Sequence, residues 1–301
     1  MSSLAVREAG PAAGADSGTA RAPRPRRRIA LVPTLTLVLG AVYTLLPVAW
    51  VVIASTKSGH ELFSTFTFLP GTGFTQNLKD LGAYRDGIYW RWMGNSALYA
   101  GLGALLSTGV SALSGFALAT YRFRGRESVF NVLLAGVLMP PVILAVPQYL
   151  LLAKANVTDS YLSVLLPQIL SPYGVYLARI YAAAAVPGDV VEAARMDGAG
   201  EWRIFTRIAL PMMIPGMVTV FLFQFVAVWN NFLLPYIMLS NDERFPLTLG
   251  LYTLLAQGSN QPALYTLVIT GAFLAVIPLI ALFLVVQRFW SLDLLSGAVK
   301  S

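Results

Sequence analysis

Hydrophobic and polar positions in this chain do not alternate; they segregate into blocks. Six apolar runs, at 29–53, 94–120, 129–152, 161–185, 212–239 and 263–287, are each long enough for a helix to cross roughly 30 Å of hydrocarbon at about 1.5 Å per residue. Polar residues are held between them: a long segment at 54–93, short ones at 121–128 and 153–160, a charged one at 187–211, and 240–262. The pattern predicts an all-α integral membrane protein with six transmembrane helices.

Several of these helices are expected to be irregular. Pro140-Pro141 and Pro147 fall in the third run, Pro167 and Pro172 in the fourth, and Pro215 and Pro235 flank the fifth. Each removes a backbone donor and bends a helix. Static kinks and hinges around a pathway both fit. The second run carries Gly101, Gly103, Ser107, Gly109, Ser111, Ser114 and Gly115. Such small residues let helices approach closely in lipid, so they read as packing rather than chemistry.

Composition agrees with a bilayer as solvent. Of 301 residues, 56% are hydrophobic and 12% charged, against roughly 25% charged in soluble domains. The chain has no cysteine, which excludes disulfides and thiolate chemistry, and its one histidine, His60, reads as a loop residue rather than a metal ligand. The net charge of +7 is grouped beside apolar runs, a topology signal rather than a nucleic-acid footprint. Residues 1–28, ending in "RAPRPRRR", cannot bury a core and are expected to be a disordered basic tail. The apolar run after them is too long for a signal-peptide core. With the N-terminus inside, fifteen of the 21 Lys and Arg residues fall in inside segments. Both termini and the 187–211 segment are therefore expected in the cytoplasm. The expected organisation is a tail at 1–28, a six-span domain at 29–290 and a cytoplasmic tail at 291–301.

The segment "PGDVVEAARMDGAGEWRIFTRIALP" (187–211) concentrates charge in an otherwise apolar chain. Asp189 is expected to cap a short helix, with Glu192 three positions on completing a capping box. Gly198, after Asp197, is expected to end that helix in the left-handed conformation. A second short helix follows, with Trp202, Phe205 and Ile208 on one face, and Pro211 ends it before the fifth span. Exposed Ala193 and Ala194 would permit close contact by a soluble partner. An amphipathic segment resting on lipid is the alternative.

The same residues resemble the Glu-Ala-Ala loop of ATP-binding-cassette (ABC) importer permeases. Glu192, Ala193, Ala194, Gly198, Ile208, Leu210 and Pro211 match its core pattern, while Asp197, Ala199, Phe205 and Pro215 match the carbohydrate-importer branch. "VWNNFLLPYIML" (228–239) and the terminal "SLDLLSGAVKS" also resemble family segments, although Asn231 stands where an acid is frequent and the chain ends in Ser301 rather than Gly. The resemblance implies a type I ABC importer permease fold in a bacterial cytoplasmic membrane. Its implied partners are a second homologous permease, two ATPase subunits, an extracytoplasmic sugar-binding protein and membrane lipid. The loop would be a coupling helix, with Asp189, Glu192, Ala193, Ala194, Asp197, Gly198, Ala199, Phe205, Ile208 and Pro211 at the ATPase. Gly297, Ala298, Val299 and Lys300 would touch the ATPase interface. The outer loop with Ser259, Asn260 and Gln261 would meet the binding protein.

No phosphate loop of the G-x-x-x-x-G-K-[ST] type is present, and no nucleophile–base grouping stands out. The chain is expected to be a transport subunit and not an enzyme. It should carry no cofactor of its own, with ATP and magnesium on the partner ATPase. Gln148, Gln168, Gln224, Asn230 and Asn231 lie in or beside apolar runs; they fit either interhelical hydrogen bonds or the lining of a sugar pathway, with Gln224, Asn230 and Asn231 the pathway candidates. Di- or oligosaccharides are the implied cargo, with glycerol-phosphate or monosaccharides open. A secondary carrier would need intramembrane acids, and no apolar run contains one. A non-transporting scaffold is the remaining class.

Overall fold

The computed structural model describes residues 31–258, 261 and 263–298, with side chains through 289. The basic tail at 1–28, Ser259, Asn260, Val299 and Lys300 lie outside the described residues, as do the surroundings of Gly297 and Ala298. The described elements are all helical: α1 (Leu31–Ser55), α2 (Gly59–Ser64), α3 (Phe74–Ala83), α4 (Ile88–Thr120), α5 (Arg126–Leu138), α6 (Pro141–Lys154), α7 (Tyr161–Ile169), α8 (Pro172–Ala185), α9 (Gly188–Met196), α10 (Glu201–Ile204), α11 (Leu210–Trp229), α12 (Leu233–Met238), α13 (Leu247–Gly258) and α14 (Ala263–Ala298).

Two compact units divide between Leu46 and Pro47. In the first, the described residues form one apolar helical stretch. Thr36 and Thr44 fold their hydroxyls back onto the carbonyls of Val32 and Gly40, each at 3.0 Å. This satisfies two polar groups within the helix, as a lipid-facing surface requires.

The second unit is organised along α4, which packs against α8 and α11. Gly103, Ser107, Ser111 and Gly115 are buried at every fourth position and form a packing face, whereas Gly109 is exposed and a Cβ added at Gly101 or Gly109 would meet nothing within 4 Å. Two apolar clusters lie along α4. One gathers Tyr89, Trp92 and Tyr99 near its start with Trp229, Leu247 and Leu254. The other gathers Ala112 and Phe116 near its end with Ala178, Val191, Ile204 and Phe205.

Four helices are long and apolar enough to cross a membrane, rising to six if each bent pair counts as one span. The prolines decide the difference. The third run is two helices, α5 and α6, bent by 106° at Pro140-Pro141, where the missing donors and ring clashes stop the helix. The second span starts at Ile88 rather than 94. The fifth ends at Trp229 rather than 239, and Asn230–Phe232 separates it from α12. The expected outer loops are also structured. Lys57 is 1% exposed, its Nζ donates to the Phe66 carbonyl at 2.7 Å, and Asn77 Nδ2 donates to the carbonyls of Ser55 and Lys57. In the 240–262 segment, α13 buries Leu247, Leu249 and Leu254.

One face of α4 holds the 242–247 backbone. Trp92 Nε1 donates to the Asp242 carbonyl at 2.8 Å, Asn95 Nδ2 to those of Glu243 and Phe245, and Tyr99 OH to that of Arg244; Ser96 Oγ accepts the Leu247 N–H. Asp159, between α6 and α7, locks the same segment. Its Oδ1 accepts the Ser240 and Asn241 N–H groups, each at 3.0 Å, and its Oδ2 lies 2.8 Å from Arg244 Nη1. The Asn241 N–H, with the Ser240 N–H and Arg244, holds this carboxyl below the usual carboxylate range. A depressed folded pKa means that its stabilisation is present at neutral pH and lost as pH falls through the folded value. Amide exchange at 240 and 241, corrected for intrinsic rate, should lose protection below the ordinary carboxylate range. Asp159→Asn should lower protection at neutral pH and flatten that dependence; an unchanged profile would show that the clamp does not hold the segment.

Candidate docking loop and a cavity at the helix breaks

The charged segment folds as a corner between α8 and α11. Val186, restricted by the following proline, is extended (φ −114, ψ 96). Pro187 stands at the cap position with no side-chain cap bond, and the helix begins at Gly188. Asp189 is therefore inside the first turn instead of capping it, and no capping box forms with Glu192. Asp189 still complements the positive end of the helix dipole. Glu192 is exposed, and its carboxylate forms no hydrogen bond or ion pair among the described residues.

The C-terminus behaves as expected. Gly198 has φ +78; its N–H donates to the Arg195 carbonyl and the Ala199 N–H to the Ala194 carbonyl, both at 3.0 Å. This paired pattern is a Schellman cap, and it needs a residue tolerant of the left-handed region. The cap directs the chain into α10.

Burial corrects the expected contact face. Val191 and Ala194 are buried with Phe116, Ile204 and Phe205, so Ala194 is packed inward. Asp189, Val190, Glu192, Ala193, Met196 and Asp197 face outward. Trp202 and Phe205 also separate: Trp202 is 68% exposed and Phe205 only 6%. Ile208 and Ala199 are half-buried, and Pro211 is exposed. Pro211 does not end the second helix. The chain runs through a π turn at Phe205–Ala209, in which the Leu210 N–H reaches the Phe205 carbonyl, and the wider turn accommodates the missing proline donor.

A brace fixes the corner. Arg195 Nε and Nη2 donate to Glu201 Oε1 and Oε2 at 2.9 and 3.3 Å, and Tyr121 OH donates to Glu201 Oε2 at 2.6 Å. Partial burial, with the Glu201 bond, pushes the Tyr121 hydroxyl up to about 12, so it remains a donor at neutral pH. Sequence reasoning assigned no role to Tyr121, Glu201 or the exposed Met196 (83%). A long apolar side chain in a charged loop was the available signal for Met196; nothing local pointed to Tyr121.

A cavity of about 290 Å³ lies where the broken helices meet α11. Met139, Pro141, Leu170, Ser171 and Pro172, at the two breaks, line it. Irregular backbone at membrane depth is tolerated where it lines such a space. Its polar lining is Gln148, Gln168, Ser171, Gln224 and Asn231. Gln224 Nε2 donates to Ser171 Oγ, which also accepts the Gly174 N–H. Gln168 Nε2 donates to the Val164 carbonyl, while its Oε1 is buried without a partner. Asn231 Oδ1 accepts the Leu234 N–H at 3.3 Å. Asn230 is absent from this wall; it is exposed and donates to the Val226 carbonyl of its own helix. The structure thus places Gln148, Gln168, Gln224 and Asn231 around one cavity and adds Ser171. Gln261, the one described member of the expected outer contact set, is exposed. Among the described residues no acid–histidine cluster could hold a metal ion.

Comparison with known proteins places this geometry. The profile of a family described as "Binding-protein-dependent transport system inner membrane component" matches residues 107–291. The arabinooligosaccharides transport system permease protein of Halalkalibacterium halodurans is 34% identical, over 84% of this chain and 90% of that protein. The lactose transport system permease protein of Rhizobium radiobacter is 30% identical, over 91% and 98%. A chain of a bacterial ABC transporter involved in the import of alginate superposes with a TM-score of 0.75 at 23% identity, covering 90% of this chain and 99% of that one. At that identity the likeness is one of fold.

Proposed function

The chain belongs to the family of inner membrane components of binding-protein-dependent transport systems, and from that premise we propose that it is one permease subunit of an ATP-driven importer of oligosaccharides. Hydrolysis occurs on a separate ATPase subunit. The outward face of α9 seats on that subunit in the cytoplasm, and both chain termini lie on the same side. ATPase closure moves the α9–α10 corner as a lever, and the spans alternate between inward and outward access.

The observation that carries this reading is the contrast within α9. One face is anchored in the apolar cluster, while the other presents Glu192, Ala193 and Met196 on a corner braced by Arg195, Glu201 and Tyr121. A lever needs this combination of exposed grip and rigid attachment. The cargo class rests on the sugar-transporting relatives and on the cavity, whose amides and hydroxyl suit a polyhydroxylated solute. Glycerol-phosphate and monosaccharides remain competing cargoes for the uptake assay to separate.

The test is uptake by the complex reconstituted in vesicles with its second permease, ATPase and binding protein. Labelled oligosaccharide should accumulate only with ATP on the ATPase side and binding protein on the other. Accumulation driven by an ion gradient without ATP would sink the proposal. Within that assay, Gln224→Leu removes the donor to Ser171. The loss of one cavity hydrogen bond should lower kcat/KM for sugar roughly tenfold and leave unstimulated ATP hydrolysis intact. An unchanged kcat/KM would remove Gln224 from the pathway.

A further inference from the structure

The segment between α2 and α3 presents an apolar surface that no described residue covers. Residues 63–70, "FSTFTFLP", are all exposed, with Phe63, Phe66, Phe68 and Leu69 at 66, 74, 40 and 57%. No residue from 62 to 78 is charged. The Leu69 N–H donates to the Phe66 carbonyl at 3.0 Å, and the Phe66 and Phe68 ring centroids lie 6.3 Å apart, so these three side chains share one turn. The turn is held from beneath. Lys57 is 1% exposed, and its Nζ donates to the Phe66 carbonyl at 2.7 Å. The Gly71 N–H donates to Thr56 Oγ1 at 3.0 Å and the Gly73 N–H to the Thr56 carbonyl at 2.7 Å. A Cβ at Gly71 would lie 2.7 Å from the Thr56 carbonyl oxygen and 2.9 Å from the Lys57 Cα, so the chain returns against the end of α1 with no room for a side chain. A mobile loop could fold its rings away from water; these bonds fix the backbone and keep the rings outward.

The position of the turn in the fold identifies what meets it. α1 ends at Ser55, and its last turns are apolar and open, with Val48, Trp50 and Val52 all exposed. α14 begins at Ala263; Phe63 packs edge-on against its Tyr265, with ring centroids 5.9 Å apart, and Gly59 lies against its Thr266. Both α1 and α14 are long and apolar enough to cross a membrane. α2 and the turn after it therefore stand where two spans end, the depth at which aromatic side chains collect at the boundary of hydrocarbon and headgroups. The Phe66 carbonyl and the Gly71 and Gly73 N–H groups are satisfied within the chain, as a depth poor in water requires. A soluble partner is met through a polar rim around an apolar centre, and the uncharged 62–78 stretch supplies little of one. We infer that the 63–70 turn is an interfacial membrane anchor, with Phe66, Phe68 and Leu69 inserted among lipids at the headgroup–acyl boundary. Only the choice of leaflet, the outer one, rests on the importer reading.

The chain has no cysteine, so one nitroxide can be attached at Thr67→Cys, between the two phenylalanines. The test places the labelled, assembled transporter in phosphatidylcholine vesicles and reads, by power saturation, the access of the label to oxygen and to a water-soluble nickel chelate. Oxygen access should exceed nickel access, at a depth shallower than that of a label at Leu37→Cys in α1. Phe66→Ser/Leu69→Ser removes the two most exposed side chains of the three and none of the bonds that hold the turn. It should raise nickel access at position 67 roughly fivefold. Nickel access that is already high before the serine substitutions would place the turn in water. Low access to both reagents would bury it against the second permease. High nickel access that is lost on adding the binding protein would give it to that soluble partner. Unchanged access in the double serine variant would show that these side chains do not hold the turn in lipid. Each of these four outcomes overturns the anchor. Depth is read without ATP or transport, so its failure and the failure of the importer reading are distinguishable.

Discussion

Glu192→Lys is expected to abolish coupled transport while leaving the chain folded. Glu192 is exposed, stands on the outward face of α9 and has no partner among the described residues. Reversing its charge therefore removes no internal bond. If the ATPase meets this carboxylate with a basic group, the substitution juxtaposes like charges at an interface, which costs several kcal/mol. ATPase affinity should fall about 100-fold or more, and uptake should fall with it. Glu192→Gln, which removes the attraction without adding repulsion, should be much milder. The measurements are ATPase co-purification and uptake in vesicles, alongside the thermal stability of the permease. Normal assembly and uptake by Glu192→Lys would show that α9 does not carry the coupling contact.

Gly115→Val should have the largest effect on folding. An added Cβ would sit 2.5 Å from the Ala178 Cβ, 2.6 Å from the Ala178 carbonyl carbon and 2.6 Å from the Arg179 nitrogen. Two of these atoms are α8 backbone, so no rotamer change relieves the clash, and α4 and α8 must separate. Overpacking typically costs 1–3 kcal/mol, and a backbone clash along the main helix pair should reach about 3 kcal/mol or more. Gly109 supplies the comparison, because an added Cβ there meets nothing within 4 Å. Gly109→Ala should be neutral or slightly stabilising, since glycine is the poorer helix former. Unfolding of the two variants in detergent should differ by the full packing penalty. Equal stability would mean that the close α4–α8 contact is not maintained.

The two glycines show how far sequence reaches. Both sit in the same small-residue stretch, and the stretch alone predicts close packing. Spacing by four singles out Gly103, Ser107, Ser111 and Gly115 as one face, but only the position of α8 distinguishes Gly115 from Gly109. The charged corner divides in the same way. The Gly198 turn was legible because left-handed geometry is a property of one residue and its neighbours. The expected cap of the capping box is displaced by two residues, since Pro187 takes the cap position expected of Asp189 and the helix starts at Gly188. Ala194 was misassigned because its burial depends on Phe116 and Phe205, which arrive from other parts of the chain.

By itself the sequence determined the bilayer as solvent, the apolar runs, the α9 corner and the prolines that interrupt helices. These are local properties: transfer free energy, dihedral preference and hydrogen-bond loss act within a few residues of their source. Only the tertiary structure decided that a proline pair bends the chain by 106°, and that Gln224 meets Ser171 across 53 residues of separation. It alone placed Asn231 in the cavity wall and Asn230 outside it. The Arg195–Glu201–Tyr121 brace likewise depends on α4 ending beside α10. Such convergence is set by the directions in which packed helices leave their breaks, and no window of sequence contains it.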